Sequence, residues 1–322
     1  MTAGRRRALA GAGPRPALLA LAVVVVTVTI MSLGGSAGAT TRCFGAAARD
    51  ASLGCSNATR SATPGLDDVE AGAPCRPVSA GLDSACAFGV SASRAARTIA
   101  LIGDSHAMNW RAAVDVVARD RRWRGYSMAS PGCVYSTAAA ALPDGRREHC
   151  VRWYRSVSRW LGRHPEVSTV FVSQNAALPI MPGPGRTYAS TTVDGYSRTW
   201  AALPSTITKV IVLRDTPDPS DDTLRCLRRV IAAGRQRPGP ACATPRSQAL
   251  RWDPAVFAAA RLNSRRYRTI DLTNFFCGRR DCYPVIGGVR VFSDVGGHFT
   301  TTFSRTLGPY LLRDVRGLFE SW

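Results

Sequence analysis

Lysine is almost absent from the sequence: Lys209 is the single lysine among the 42 basic residues of this 322-residue chain. So strong a bias toward arginine is typical of codon usage across a genome, which weakens the net charge of +20 as a sign of nucleic-acid binding. The basic residues are scattered, with short clusters at 5–7, 121–122 and 265–266, and no basic stripe is interleaved with aromatics. We therefore expect no nucleic-acid partner, and at most a weak attraction to an anionic cell surface.

Closely spaced cysteine or histidine pairs are absent too, which argues against a zinc site. The tightest spacing is Cys277-x4-Cys282, wider than the usual C-x2-C. All ten cysteines follow residue 39, and an even number in an exported chain indicates disulfides. The sequence does not fix their connectivity. The simplest arrangement pairs sequence neighbours: Cys43 with Cys55, Cys75 with Cys86, Cys133 with Cys150, Cys226 with Cys242, and Cys277 with Cys282.

Residues 1–39 have the layout of a secretory signal peptide. Four arginines precede an uncharged apolar run at 17–33, and small residues in an A-x-A pattern follow at 36–39. The run is long for a signal peptide and slightly short for a spanning helix, so an uncleaved anchor that attaches to the membrane through residues 17–33 is the alternative. In both cases we expect the rest of the chain outside the cytoplasm, secreted or anchored at the outer face of the cytoplasmic membrane.

The composition, with 45% apolar and 20% charged residues, is that of a globular protein and excludes wholesale disorder. Residues 40–95 hold four cysteines and show little apolar periodicity, so we expect a disulfide-stapled, irregular extension. In residues 96–322, apolar runs alternate with helical patterns, which predicts a parallel sheet with helices on both faces. The predicted strands are 98–102, 125–129, 167–172, 209–213, 267–272 and 288–292, and the predicted helices are 107–119, 150–163, 246–262 and 300–319.

A serine follows the first of these strands, in the tetrapeptide Gly103-Asp104-Ser105-His106. A serine at such a strand-to-helix turn is exposed at the carboxyl edge of the sheet, where the active sites of parallel sheets lie. The N–H groups that begin the helix can stabilise an oxyanion, and Gly103 permits the sharp turn. The alternative is that Asp104 and Ser105 only cap the helix.

A histidine near the carboxyl terminus, in Asp294-Val295-Gly296-Gly297-His298, is the best candidate for the base that a serine nucleophile needs. A carboxylate on the other ring nitrogen fixes the tautomer, and Asp294 is close enough in the same loop to do so. The chain has only four histidines, and His106 adjoins the serine, where neighbouring side chains usually point apart. The alternative is a surface histidine beside a turn aspartate.

Taken together, these motifs resemble the SGNH (GDSL-like) hydrolase superfamily, and in particular the SGNH domains fused to or associated with acyltransferase-3 membrane proteins. The resemblance covers about residues 43–320. It is carried by the segments Cys43 to Ala47, Ile102 to Ala107, Val212 to Pro217, and the terminal Asp294-x-x-x-His298.

The resemblance implies a three-layer α/β/α sandwich with Ser105 as nucleophile, His298 as base and Asp294 as the orienting acid. It implies an oxyanion hole formed by Ser105 N–H with a glycine and an asparagine, and Gly132 and Asn175 match these two in position. A simple turn and an ordinary loop asparagine are the alternatives for them. The family spaces acid and histidine as D-x-x-H, whereas three residues intervene here. Either the two glycines absorb the extra residue, or a Ser105–His298 dyad remains.

The expected function is that of an extracytoplasmic serine esterase or O-acyltransferase acting on acyl esters, acetyl above all, of cell-envelope carbohydrate through an acyl-serine, without cofactor or metal. The expected partners are an acylated glycan or acyl donor and a membrane acyltransferase. A non-catalytic cell-envelope binding or accessory protein with the same fold is the alternative from another class. For Arg214-Asp215-Thr216-Pro217 at a strand end, substrate contact and structural support both stay open.

Overall fold

A computed structural model describes residues 42–55, 73, 75–78, 82, 85–234 and 237–320 of the chain. The predicted signal peptide or anchor at 1–39, including its apolar run at 17–33, lies outside the described residues. Within the described ranges, none of the helices combines the length and the apolarity that crossing a membrane requires.

A seven-stranded sheet in the order β1-β2-β4-β3-β5-β6-β8 forms the centre of the fold. The five strands from β4 to β8 in this order run parallel, whereas β2 runs antiparallel to β4 and β1 antiparallel to β2. The strands are β1 Arg76–Pro77, β2 Cys86–Gly89, β3 Arg97–Gly103, β4 Trp123–Ala129, β5 Val167–Ser173, β6 Lys209–Leu213, β7 Thr244–Pro245, β8 Tyr267–Ile270, β9 Asp281–Cys282, β10 Val285–Ile286 and β11 Val289–Arg290.

Helices cover both faces of this sheet, which confirms the predicted three-layer α/β/α sandwich. The long helices α1 and α9 pack on one face, and α2, α3 and α7 pack on the other. The helices are α1 Ser105–Asp120, α2 Asp144–Arg163, α3 Tyr188–Ala201, α4 Asp221–Ala232, α5 Pro238–Ala241, α6 Arg246–Ala249, α7 Pro254–Leu262, α8 Thr273–Phe276 and α9 Thr301–Glu320.

The central strands are apolar along their whole length because both of their faces are buried. In β3, Ile99 and Leu101 belong to the core beneath α1 and α9, whereas Ala100 and Ile102 belong to the core on the opposite face. Successive side chains of a strand point to opposite faces, so a strand between two helical layers needs apolar residues at every position. The run that predicted a buried strand at 98–102 is explained in this way.

The chain changes direction across the sheet at β3. From β3 it passes through α1 to β4 on one side, and it then returns through α2 to β5 on the other side of β3. The two connections therefore diverge above the carboxyl ends of β3 and β5 and leave a crevice between them, the usual ligand site in open parallel sheets. Ser105 begins the helix that leaves β3 at this point.

The extension contributes more regular structure than the sequence indicated. The strands β1 and β2 lie in it, and Phe88 of β2 is fully buried in the core. The ring of Phe88 occupies the space above Gly125 of β4, where an added Cβ would lie 2.1 Å from it. Strands of two and four residues are too short to produce a recognisable period, which is why the sequence predicted an irregular segment.

Four other elements differ from the prediction. The helix expected at 246–262 is interrupted, because Asp253 accepts N–H groups at the start of α7 and Pro254 occupies its first turn. The strand expected at 288–292 is the short β11, which pairs with β10 outside the main sheet. The helices α3 and α4 were not predicted from the sequence.

All five disulfides join sequence neighbours, as the simplest arrangement predicted. They close loops of 5 to 17 residues. Loops this short restrain the unfolded chain modestly, so each disulfide acts mainly on its own segment. Cys133–Cys150 secures the segment that follows β4, at the same edge of the sheet as Ser105.

Replacing Gly103 by alanine should destabilise the fold, because the added Cβ would lie 1.8 Å from the carbonyl oxygen of Ser173 on the neighbouring strand. Overpacking of this kind costs about 1–3 kcal/mol. The matched control is Gly162→Ala in the exposed part of α2, where nothing lies within 4 Å. It should stabilise the helix by up to about 1 kcal/mol. Denaturant unfolding with the disulfides intact measures both, and equal free energies of unfolding for the two variants would contradict the prediction.

Candidate active site

Ser105 is the first residue of α1 and is half-buried at the carboxyl edge of the sheet. Asp104 precedes it as the N-cap, and its Oδ1 accepts the N–H of His106 at 2.8 Å. The alternative that this segment only caps a helix is therefore partly right, since Asp104 does cap it. The hydroxyl of Ser105 is not used for capping and bonds a histidine instead.

The Asp104 carboxylate also joins the serine turn to the end of β5. Its Oδ2 accepts the backbone N–H of Asn175 at 2.8 Å, and its side chain is fully buried. Burial raises the pKa of Asp104 to about 6, although the nearby His106 and the two N–H groups oppose this shift. The two strand ends that border the crevice are thus held by one buried carboxyl group.

His298 lies at the end of a loop that is closed by the pairing of Phe292 with Phe299. The backbone N–H of Ser293 donates to the carbonyl of His298 at 2.8 Å. The turn in between contains Gly297 with φ +77°, a backbone conformation that favours glycine. Asp294 accepts the N–H of Gly296 with Oδ1 at 2.9 Å, which leaves its Oδ2 for another donor.

The second oxygen of Asp294 lies 2.7 Å from Nδ1 of His298, and Nε2 of His298 lies 2.7 Å from Oγ of Ser105. We call this hydrogen-bonded series of three side chains the triad. The extra residue between acid and histidine therefore does not separate them, because the turn at 295–297 absorbs it. With Nδ1–H donating to Asp294, Nε2 can accept the proton of Ser105, which is what activation of a serine requires.

Gly132 and Asn175 lie at the same edge, at the ends of the two strands beside β3. Gly132 has φ +72° in the turn after β4, and Ser130 in that turn donates its N–H to the carbonyl of Gly103 at 3.0 Å. The side-chain oxygen of Asn175 accepts the N–H of Ala177 at 2.7 Å. This bond fixes the orientation of the amide and leaves its NH2 group as the donor that an oxyanion would use.

His106 lies directly beneath the triad, and no role was predicted for it from the sequence. Its ring is buried, with Nδ1 2.6 Å from Asp215 Oδ1 and Nε2 2.9 Å from the carbonyl oxygen of Gly296. Asp215 belongs to the segment 214–217, for which substrate contact and structural support had both been left open. Its carboxylate is buried on His106, so the structure assigns it structural support.

Two further side chains complete the surroundings of Asp215. Asp253 accepts the backbone N–H of Asp215 at 2.8 Å, and burial raises the pKa of Asp253 to about 6, with the charge of Asp215 adding to the shift. The hydroxyl of Thr216 donates to the carbonyl of Gly297 at 3.1 Å. An aspartate directly after a buried strand was the available signal for this network, but its partner could not be read from the sequence.

The comparisons with known proteins concern the family and the fold of the chain. The family model described as "SGNH domain (fused to AT3 domains)" matches residues 74–313, about three quarters of the chain. The chain belongs to this family of SGNH domains. The match includes β1 to β11 and the whole triad, so the seven-stranded sheet belongs to the SGNH domain together with the antiparallel strands β1 and β2 from the extension.

Among solved structures, this SGNH domain is similar to the periplasmic domain of the lipopolysaccharide acetyltransferase of Salmonella ser. Paratyphi A. The superposition has a TM-score of 0.51 at 12% sequence identity, and it covers 71% of this chain and 90% of the other. At this identity the likeness concerns the fold. None of the curated proteins matches the sequence significantly.

Within the described part of the SGNH domain, no cluster of three or more histidine, cysteine or acidic side chains could hold a metal ion. The ten cysteines are all engaged in disulfides. What this site can do chemically follows from a hydrogen-bonded serine, an oriented histidine and the N–H groups at the start of α1.

Replacing Asp294 by asparagine should slow the reaction of Ser105 with a fluorophosphonate by about 10²-fold. An amide NH2 facing Nδ1 would favour the wrong tautomer of His298, and the effect should stay below that of a buried triad because the Asp294 side chain is 51% exposed. The rate of adduct formation is measured by mass spectrometry, with Asp144→Asn, an exposed aspartate in the first turn of α2, as the control. An unchanged rate in Asp294→Asn would assign the activation to Ser105 and His298 alone.

Proposed function

We propose that this SGNH domain is a serine enzyme that cleaves or transfers acyl groups, acetyl above all, on cell-envelope carbohydrate outside the cytoplasm. The observation that carries the proposal is the triad: Oγ of Ser105 lies 2.7 Å from His298 Nε2, at the crevice between β3 and β5. A nucleophile bonded to a base, with that base bonded to a third group, is the arrangement of acyl-transferring serine enzymes.

In the first half of the reaction, Oγ of Ser105 attacks the acyl carbonyl carbon while its proton passes to Nε2 of His298. The carbon–oxygen bond to the donor alcohol then breaks, and His298 returns the proton to the leaving oxygen. In the second half, a hydroxyl oxygen attacks the acyl-serine, its proton passes through His298 to Ser105, and the acyl group leaves on the new oxygen. No cofactor takes part in these steps.

The negative oxygen of the tetrahedral intermediate needs donors that are already oriented. The backbone N–H of Ser105 at the start of α1 is one, and the partial positive charge of the helix N-terminus supports it. The NH2 group of Asn175 is a second, since its oxygen is held by Ala177. The N–H of Gly132, in the turn that Ser130 ties to β3, would be the third.

The acyl acceptor is either water, which makes the protein an esterase, or a sugar hydroxyl, which makes it an O-acyltransferase. The family description links these domains to AT3 domains, and the similar solved structure is named as a lipopolysaccharide acetyltransferase domain. Both favour transfer, with an AT3-type membrane protein as the partner that supplies the acyl group. Five disulfides support a location outside the cytoplasm, whether secreted or held at the membrane through residues 17–33.

The altered spacing between Asp294 and His298 is the feature of the sequence that would favour the rival role, a non-catalytic binding or accessory protein. Both contacts of His298 are nevertheless 2.7 Å, within the range of strong hydrogen bonds. We therefore favour the enzyme over the accessory protein, and we treat residues 40–95 and 96–322 as an extension and a catalytic domain that function together.

The test is reaction of the purified, oxidised protein with a fluorophosphonate and with p-nitrophenyl acetate. We expect an adduct on Ser105 and ester hydrolysis, both lost in Ser105→Ala and reduced by at least about 10³-fold in His298→Ala. Ser130→Ala is the matched control, because Ser130 also bonds a histidine, His149, at 3.1 Å, but lies outside the triad. A folded protein that neither forms the adduct nor hydrolyses the ester would favour the accessory role.

A further inference from the structure

His106 follows the proposed nucleophile directly and is held between two acceptors. Its ring is 1% exposed, with Asp215 on Nδ1 and the carbonyl of Gly296 on Nε2. Gly296 precedes His298 by two residues, so this histidine connects the first turn of α1 to the loop that carries the proposed base. The reaction steps proposed above do not use His106, and its contacts need another explanation.

The hydrogen-bond partners define the protonation of this ring. A backbone carbonyl only accepts, so Nε2 carries a hydrogen toward Gly296. Asp215 accepts the N–H of Thr216 with Oδ1 at 2.9 Å and the N–H of Ala176 with Oδ2 at 2.7 Å, which is the pattern of an ionised carboxylate. Nδ1 therefore carries a hydrogen as well. A ring with hydrogens on both nitrogens is an imidazolium.

The same loop is held at a second point. The hydroxyl of Thr216 donates to the carbonyl of Gly297. Oδ1 of Asp218 packs closely against Gly297, since a Cβ added to this glycine would lie only 2.4 Å from that oxygen. The rings of His106 and His298 meet edge to face with centroids 5.2 Å apart. Two consecutive peptide carbonyls of the loop, those of Gly296 and Gly297, are thus held by hydrogen bonds from His106 and Thr216. Asp294 orients the imidazole of His298 on the other side of the loop.

We propose that His106 is a positioning residue: as a buried imidazolium paired with Asp215, it anchors Gly296 and thereby holds His298 in line with Ser105. The role as positioning residue for catalysis rests on the proposed function. The protonation of His106 and the anchoring of the loop do not rest on it, and each can be measured without any substrate.

The charged groups around His106 come from five segments. Asp104 lies on its own turn, Asp215 at the end of β6, Asp218 in the following loop, and His298 in the loop above, with Asp253 behind Asp215. Burial alone would lower the pKa of His106, but the charge and hydrogen bond of Asp215 outweigh it and raise the pKa to about 10. This contribution to stability is complete below the ordinary pKa of 6.5 and is lost as pH rises through about 10.

The first measurement is histidine-selective ¹⁵N NMR of the wild-type protein. We expect one histidine ring with both nitrogens protonated and no titration between about pH 5 and 9, and this signal should disappear in His106→Asn. Amide hydrogen exchange at Ser293, whose N–H donates to the carbonyl of His298 and closes the loop, should be slow in the wild type and faster in the variant. A His106 ring that loses its proton near pH 6.5, or unchanged exchange in the folded variant, would overturn the proposal.

The second measurement separates two contacts of the ring. In His106→Asn the amide can still donate to Asp215 but is too short to reach Gly296, whereas in His106→Gln it can reach Gly296 and loses Asp215. We expect kcat for p-nitrophenyl acetate to fall by at least about 10-fold in His106→Asn with KM unchanged, and by less in His106→Gln. The control His149→Asn should retain the wild-type values.

The outcomes also separate this proposal from the proposed function. If the wild-type protein shows a protonated His106 and slow amide exchange but no esterase activity, the anchoring of the loop by His106 is supported and the proposed enzymatic function is contradicted. If folded His106→Asn has wild-type activity, the proposed enzymatic function is supported and the positioning role of His106 is contradicted. If neither variant folds, Thr216→Val, which removes the bond to Gly297, should lower kcat in the same direction, and an unchanged kcat would count against the proposal.

Discussion

Three segments of the chain meet on the buried carboxylate of Asp215. It accepts hydrogen bonds from the Nδ1–H of His106 in α1, the backbone N–H of Ala176 after β5 and the backbone N–H of Thr216 after β6. A carboxylate out of water is stable only when each of its oxygens is hydrogen-bonded, and here each oxygen has at least one donor. The positions of these three strand ends are therefore mutually dependent, since moving one of them would leave a buried charge without a partner.

The site consists of a buried layer of side chains that supports the loop of His298, and a partly exposed layer that contains the triad residues His298 and Asp294. Asp104, His106 and Asp215 are almost completely excluded from solvent. The side chains of His298 and Asp294 are 30% and 51% exposed. Exposed hydrogen bonds compete with water and hold a geometry weakly. The alignment of His298 on Ser105 accordingly depends on the buried layer as well as on Asp294.

The sequence was sufficient for the fold class and for pairing Ser105 with His298, because both have local signals, whereas it left the contact of Asp294 with His298 open. Apolar runs such as 98–102 predicted the buried strands, and a serine at a strand end together with a histidine near the carboxyl terminus predicted a site at the sheet edge. The α3 helix was missed because its sequence, rich in threonine and serine, has weak helical propensity, and tertiary packing of Tyr196 and Trp200 stabilises it. The short strands β1 and β2 form by pairing along the edge of an existing sheet, which a local pattern does not record.

The buried contacts of His106 could not be predicted from the sequence, for a different physical reason. Adjacent residues in a strand point apart, but Ser105 and His106 are the first two residues of a helix, where successive side chains are about 100° apart. One can therefore face the crevice while the other faces the end of β6. The partners of His106 are also 109 and 190 residues distant in sequence, so only the folded sheet brings them within reach.

The three-residue spacing between Asp294 and His298 and the buried layer beneath it have one physical explanation. A longer connection between acid and base has more conformations and constrains the histidine less on its own. The added length is taken up by a turn in which Gly297 has a positive φ and Gly296 bonds Asp294, and the two peptide carbonyls of this turn face His106 and Thr216. The freedom that the extra residue introduces is thus removed by donors from α1 and β6. A loop of this length can hold a base in line with Ser105 because the fold beneath it supplies the constraint that the loop lacks.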